Sequence, residues 1–432
     1  MILNAVGGEC VDDFQRLRDD PGLSELIGHE VPSPEAARAF LHAFHEQQKI
    51  EDAKQRREPE QIPFIPEESA PLEGLGLVKR DLVHCLGERC PEQQIATVDQ
   101  DATIIESRKR GALATYEEPR GYQPMLAVWA EMDVVLADEF RDGNVPAQMA
   151  PLTVAKAAFA ALPPTVKTFY YRGDSACHES NLVNWLRDDN RAEGPQGFIG
   201  FAISARMSEA LHGAILRVAE KAWDPYGEPH PEEIRECADV PFVPGEKTEH
   251  KGTQPLRYVA IRIRKKQGAL FDDGSSVRHF AVVTNLWDWE AARLIQWHRE
   301  KAGTVEGVHD VLKNELGGRG AAFEILRCQC RLVTACGDFA QRADSPEATG
   351  AAGGVVDGAA QAVAVSDSSH AWTLGPPRAQ ARVASSSHAG VDRRLEKRHP
   401  IIAPARLDSP LLKMRHFYRR ICRPRLSKTP LS

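Results

Sequence analysis

Three acids stand at the ends of elements that can converge: Asp101 in VDQDAT and Asp174 in YYRGDSAC close strands, and Glu306 in REKAGTVEGVHDVLKNELG lies on a long helix. Asp174 follows Asp101 by 73 residues, and Glu306 follows Asp174 by a further 132. Carboxylates gathered from such distances suit phosphodiester chemistry. The phosphodiester is anionic and resists a nucleophile, and two Mg²⁺ ions roughly 3.5–4 Å apart both activate the attacking oxygen and stabilise the leaving one. Magnesium takes carboxylate oxygens and keeps several waters, so a few acids on rigid strand ends suffice. Each acid also has an ordinary reading. An Asp at a strand end is commonly a turn former or a cap, and Asp174 could simply cap a helix starting at Ser175. Glu306 could be a solvated helix residue with Lys313 nearby. Asp99 competes with Asp101, because a side-chain period of two puts both on one face of a strand.

The elements that must position these acids can be read from periodicity. QQIATVD (93–99) reads as a short strand ending in acids. MLAVWAE (125–131) and DVVLADEF (133–140) are β-rich runs with almost nothing between them, which predicts a hairpin. The Ala-rich stretch 147–162 predicts a helix, KTFYYRGD (167–174) a strand, 175–188 a helix capped by Ser175, and GFIGFAIS (197–204) another strand. This order predicts a mixed α/β sheet with a helix in each crossover. Beyond it come a helix over 206–223, an irregular Pro-rich acidic stretch (224–247), strands at 258–266 and 279–287, and a long helical segment over 288–317 that Gly303 could break. Upstream, residues 1–60 read as short helices; Ser33 caps one starting near Pro34, whose face carries Ala37, Phe40, Leu41 and Phe44. Residues 58–74 read as a linker, followed by a short helix around 75–90. Residues 340–395 are dominated by Ala, Gly, Ser and Val without periodicity, so 318–432 is read as a mostly disordered tail with a basic end.

Composition excludes several classes. Charged residues at 27% beside 42% hydrophobic ones describe an ordinary soluble balance. No apolar run reaches the length of a membrane span, and MILNAVGGEC lacks the basic-then-apolar pattern of a secretory signal. The nine cysteines form no zinc-binding pattern and read as reduced thiols. No Gly-rich phosphate loop, GxSxG elbow or HExxH is present. His298 and His309 read as helix-surface residues. Phe169, Tyr170 and Tyr171 are consecutive, so a strand splits them between two faces as core rather than as a platform for bases. The net charge of −7 runs against the basic surplus usual for nucleic-acid binding, although a basic groove can sit on an acidic chain. Arg262 and Arg264, with Lys265 and Lys266 beside them, form the clearest basic run, suited either to phosphate contact or to a solvated strand edge.

Taken in order, VDQDATIIESRKR, GYQPMLAVWAE, ADEFRDGNVPA, RGDSAC, GFIGFAIS and WHREKAGTVEGVHDVLKNELG resemble the transposases of the insertion-sequence family numbered thirteen-eighty, over about residues 5–317. That family belongs to the DDE transposases. The resemblance implies a ribonuclease-H-like catalytic domain over 93–317, with a β-rich insertion at about 205–286 before the last catalytic helix and an N-terminal DNA-end-binding region over 1–92. It implies Asp101, Asp174 and Glu306 as the catalytic, metal-binding acids, with two Mg²⁺ ions that Mn²⁺ can replace. Lys313 falls where related transposases carry a lysine toward DNA phosphates. Arg299 and Ala302 stand where they carry a tyrosine and an arginine, which leaves Lys301 to supply positive charge to the DNA. The implied partners are insertion-sequence terminal inverted repeats and a second copy of the chain when ends are paired. The implied setting is the bacterial cytoplasm, at the nucleoid when DNA is bound. The family usually has a longer start, so the N-terminal region is expected to be incomplete. The resemblance stops at Gly317, which suits a shifted reading frame beyond it; alternate frames of the gene that encode nothing transposase-like there would sink that idea. Two other functions fit the same residues: an inactive remnant that binds metal without strand transfer, and a generic nuclease of this fold indifferent to terminal repeats.

Overall fold

The computed structural model describes Leu3 and residues 10–44, 46–57, 62–108, 111–244, 255–266 and 277–310. Lys313 and the stretch 318–432 lie outside the described residues. Helices come first: α1 (Phe14–Arg18), α2 (Pro21–Ile27), α3 (Pro34–His42), α4 (Gln47–Arg57) and α5 (Ala70–Arg89). The breakers in the sequence act as starters here. Asp20 accepts hydrogen bonds from the amides of Gly22 and Leu23, and Ser33 from that of Ala36, each with proline at the first helical position. On α3, Ala37 and Leu41 are buried and Phe44 packs against them, whereas Phe40 is 55% exposed and meets only the edge of the predicted face. Helix α5 starts five residues before the expected segment, because Ser69 caps it at the amide of Leu72.

The strands are β1 (Ile95–Ala102), β2 (Ile105–Glu106), β3 (Leu113–Ala114), β4 (Arg120–Tyr122), β5 (Met125–Trp129) and β6 (Val134–Glu139). Helix α6 (Pro151–Ala161) leads to β7 (Thr168–Gly173), helix α7 (Ser180–Arg187) to β8 (Ile199–Ser204), and helix α8 (Glu209–Leu216) to β9 (Asp224–Pro225), β10 (Glu233–Val240), β11 (Arg257–Lys265) and β12 (Val277–Thr284). Helix α9 (Ala291–Asp310) closes the described chain. Nine strands form one mixed sheet in the order β6-β5-β1-β7-β8-β12-β11-β10-β9, and β2, β4 and β3 form a small separate one. The hairpin β5–β6 is antiparallel and β5 runs antiparallel to β1, while β1, β7 and β8 are parallel to one another. This half of the sheet has the strand order and directions of a ribonuclease-H-like domain, as expected. The strands of the implied insertion do not stand apart. They extend the same sheet outward from β8, whose free edge takes β12 antiparallel.

Alternation along the central strands sorts side chains between two layers. Ala96 and Val98 on β1, Met125, Ala127 and Trp129 on β5, and Phe169 and Tyr171 on β7 join a core covered by α5, α6 and α7. On the opposite face, Tyr170 packs against Trp289 and Trp297, and Leu126, Val128 and Val135 pack against Val305 of α9. The consecutive aromatics are thus split between faces, as their spacing predicts. The same parity turns Thr97, Asp99 and Asp101 toward α9.

Four local expectations need correction. The helix over 206–223 is only Glu209–Leu216, capped by Ser208, and Ala219 is already extended. The stretch 224–247 is not all irregular: β10 lies in it, its charged residues paired across to β11. The helix over 175–188 divides into a 3₁₀ turn at Ser175–Cys177, capped by Asp174 rather than Ser175, and α7, capped by Glu179. Helix α9 runs through Gly303 without a break.

Candidate active site

The register of β1 against β7 places the first two acids side by side. The last paired residues are Gln100 and Gly173, so Asp101 and Asp174 are the next step along adjacent strands. Adjacent strands lie about 4.8 Å apart, which brings the two carboxyl groups together at the carboxyl ends of parallel strands. Gly173 makes the turn possible, since a Cβ there would come within 2.6 Å of the Cys177 Cβ. Cys177 folds back over β7 in the 3₁₀ turn, and the Asp174 carboxylate accepts from the Ala176 amide at 3.0 Å. Asp174 therefore is a cap, and it also faces Asp101. Burial and then the Asp101 charge push the Asp174 carboxyl above its ordinary pKa, while Lys301 and the Ala176 and Cys177 amides pull it back.

Helix α9 brings Lys301 to this pair. Its Nζ lies 2.9 Å from Asp101 Oδ2, and its side chain is 10% exposed. Burial works against the ammonium, but Asp101, by charge and hydrogen bond, and Asp174, by charge, hold the Lys301 pKa above that of an ordinary lysine. Lys301 points into the acids rather than outward. Glu306, five residues on, is exposed. At 100° per residue it lies about 140° round the helix from Lys301, so this arrangement does not bring it to the aspartates. Among the described residues, no group of three or more His, Cys, Asp or Glu side chains is set to hold a metal ion.

The competition between Asp99 and Asp101 resolves into different surroundings. Asp99 is fully buried, with Arg172 Nε at 2.7 Å from Oδ1 and Nη2 at 2.8 Å from Oδ2. The Thr304 hydroxyl donates to the same carboxylate. Asp99 is thus saturated by protein donors, and Asp101 keeps an open side. His298 and His309 are not surface residues as expected. His309 is buried. His298 is half-buried with its Nε2 3.1 Å from the Gly173 carbonyl, and burial lowers its pKa to about 4, against the pull of that bond.

Arg262 and Arg264 sit on β11, where the register sets Arg262 directly opposite Glu236 of β10. Arg262 Nε donates to Glu236 at 3.0 Å, its Nη atoms reach Glu220 at 2.7 and 2.8 Å, and the guanidinium lies 4.3 Å from the Trp223 ring centroid. Arg264 pairs with the same Glu236 at 2.9 Å. Both cations face carboxylates of their own sheet, so a phosphate would have to compete with them. Arg262→Ala is expected to lower unfolding stability by about 2 kcal/mol, because half-buried Glu236 keeps only Arg264 and the bonds to Glu220 are lost. A urea titration measures this; unchanged stability with weakened DNA binding would instead restore Arg262 as a phosphate contact.

No protein-family model matches the chain, and no curated protein matches it in sequence. Among solved structures, a cryo-EM structure of the piggyBac transposase synaptic complex with hairpin DNA overlaps it at 7% identity and a TM-score of 0.35, over 75% of this chain and 77% of that one. A crystal structure of the Mos1 mariner paired end complex with Mn overlaps at 17% identity and a TM-score of 0.16, over 44% and 59%. A Mos1 paired-end complex with the left transposon end gives 17% and 0.15, over 43% and 58%. The chain thus spans less than two thirds of the length of the Mos1 chains. No helix among the described residues is long and apolar enough to cross a membrane.

Proposed function

We propose that this chain is a DDE-type transposase of the insertion-sequence family numbered thirteen-eighty, cutting DNA at insertion-sequence ends and joining it elsewhere. The observation that carries the reading is the acid pair: Asp101 and Asp174 at the carboxyl ends of adjacent parallel strands, beside a buried cation. The pair fits a hard divalent ion. Both donors are carboxylate oxygens, the Asp101 charge raises the Asp174 pKa, and the space between them and α9 already accommodates the positive charge of Lys301. Asp101 and Asp174 would hold Mg²⁺, or Mn²⁺ in its place, which when bound supplies Lewis-acid stabilisation of the attacking and leaving oxygens. Glu306 is the third acid in this reading and reaches the pair through movement of the end of α9. Lys313 and a second copy of the chain complete the contacts to paired terminal repeats.

One observation favours an inactive remnant: Lys301 takes the cation's place at Asp101 while Glu306 faces away. The test is to incubate the full chain with labelled DNA bearing the element's terminal repeats or scrambled ends, in Mg²⁺ or EDTA. Metal-dependent nicking confined to the repeats supports the transposase. Cutting indifferent to the ends makes the protein a general nuclease, and a folded protein that cuts neither DNA is the remnant.

A further inference from the structure

Arg172 is buried at 2% exposure on β7, two residues before Asp174, and directly opposite Asp99 in the β1–β7 register. Beyond its forked pair with Asp99, its Nη1 donates to the Trp297 carbonyl at 2.5 Å and lies 3.3 Å from Glu300 Oε2, and its guanidinium lies 5.1 Å from the Trp297 ring centroid. Asp99 in turn accepts from Thr304. One buried ion pair therefore grips α9 at Trp297, Glu300 and Thr304, and these three positions lie with Lys301 within an arc of about 100° of the helix. The three elements involved are far apart in sequence, with 73 residues from Asp99 to Arg172 and 205 from Asp99 to Thr304.

We propose that the Asp99–Arg172 pair is a latch that fixes the rotation and axial position of α9, and that Arg172 is thereby a positioning residue for the acid site. A buried ion pair contributes little net stability over apolar residues of the same volume. What it supplies is direction. The planar fork fixes the guanidinium on Asp99, and its remaining donors then fix the helix carbonyl that can sit there. An apolar contact at the same place would let α9 slide or turn by part of a residue. The latch also divides the helix: the part up to Thr304 is held, and re-seating of Glu306 is confined to the turns beyond it. Gly307 follows Glu306 directly, and a Cβ there would meet nothing within 4 Å. No packing requirement demands that glycine, and glycine weakens a helix interior.

The inference rests on the proposed acid site only for its kinetic readout, so the test has two arms in the full chain. A water-soluble carbodiimide couples the Lys301 amine to the Asp101 carboxyl as an amide, with loss of water, only while the two are in contact; peptide mass spectrometry reads the yield. Arg172→Lys keeps the charge but loses the fork, and coupling is expected to fall at least about five-fold with the fold retained by circular dichroism. In DNA cleavage the same variant is expected to lose about 10²-fold in kcat with little change in KM for DNA, as misplacement by about 1 Å does. Thr304→Val, which removes one hydroxyl contact, serves if Arg172→Lys does not fold, and lowers coupling in the same direction. Wild-type coupling in a folded Arg172→Lys or Thr304→Val protein overturns the latch. If the unmodified chain does not cut DNA, the transposase reading fails, and the coupling yields still decide the latch.

Discussion

Asp174→Asn is expected to remove metal-dependent DNA cleavage, by about 10³-fold or more, while leaving the protein folded. A metal site of this kind contributes several kcal/mol of charge stabilisation in the transition state, and 1.36 kcal/mol corresponds to a factor of ten in rate. Asp174 has two separable roles. As a cap it accepts from the Ala176 amide, and an asparagine oxygen can still do so. As half of the acid pair it supplies charge, which asparagine cannot. Asp174→Ala removes both, and is expected to cost about 1 kcal/mol of stability besides the activity. Comparing cleavage rates and urea midpoints of the two variants separates the roles. An asparagine variant that cuts DNA at the normal rate would remove Asp174 from the chemistry and leave it as a turn residue.

The second large effect concerns stability. Lys79 of α5 and Asp138 of β6 form a buried ion pair, their side chains 4% and 2% exposed. Their contact ties the N-terminal helices to the first edge of the large sheet. Lys79→Met takes the cation from a buried carboxylate, and breaking such a pair from one side costs about 3–5 kcal/mol. That is a large part of the total stability of an ordinary domain, which is about 5–15 kcal/mol. Adding Asp138→Leu to Lys79→Met is expected to recover part of the loss, because the buried uncompensated charge rather than the lost attraction is the main cost. Equilibrium unfolding in urea reads both. A single variant within about 0.5 kcal/mol of the parent would place Asp138 in contact with water, in the range of ordinary surface substitutions.

Much of the central sheet was legible because its strands alternate. In IATVDQDA, Ala96, Val98, Gln100 and Ala102 occupy one parity and Ile95, Thr97, Asp99 and Asp101 the other, and that parity alone puts both aspartates on one face. Parity could not say which aspartate was open. Their difference depends on Arg172, which lies opposite Asp99 only through a register set by residues 73 positions away. Lys301 is expected as a contact for DNA because the resemblance leaves it to replace the tyrosine and arginine that Arg299 and Ala302 displace. Its inward direction follows from Val305, buried one turn later on the same side of α9. Strand β10 was missed for a related reason. EIRECADV looks like a solvated acidic run until Glu236 meets Arg262 across the ladder. Helix α8 is shorter than 206–223 because it ends at Leu216, and the extended backbone at Ala219 starts a separate 3₁₀ turn at Glu220–Ala222 before β9. The tail at 318–432 and Lys313 fall outside the described residues.

The route of the chain through the acid site also sets an order in time. A protein is synthesised from its N-terminus, and domains tend to fold as units during synthesis. The strand bearing Asp99 and Asp101 is among the first parts of the sheet to emerge, yet Lys301 and Thr304 arrive some two hundred residues later, after the whole of β9–β12. Until then Asp101 and Asp174 face each other without the helix that covers them, and Arg172 has only Asp99 to hold. A nascent chain halted before α9 is therefore expected to carry the two aspartates in an open cleft, with neither the cation nor the covering helix. In a protein that acts on DNA, this arrangement would withhold the finished site until synthesis had passed residue 304.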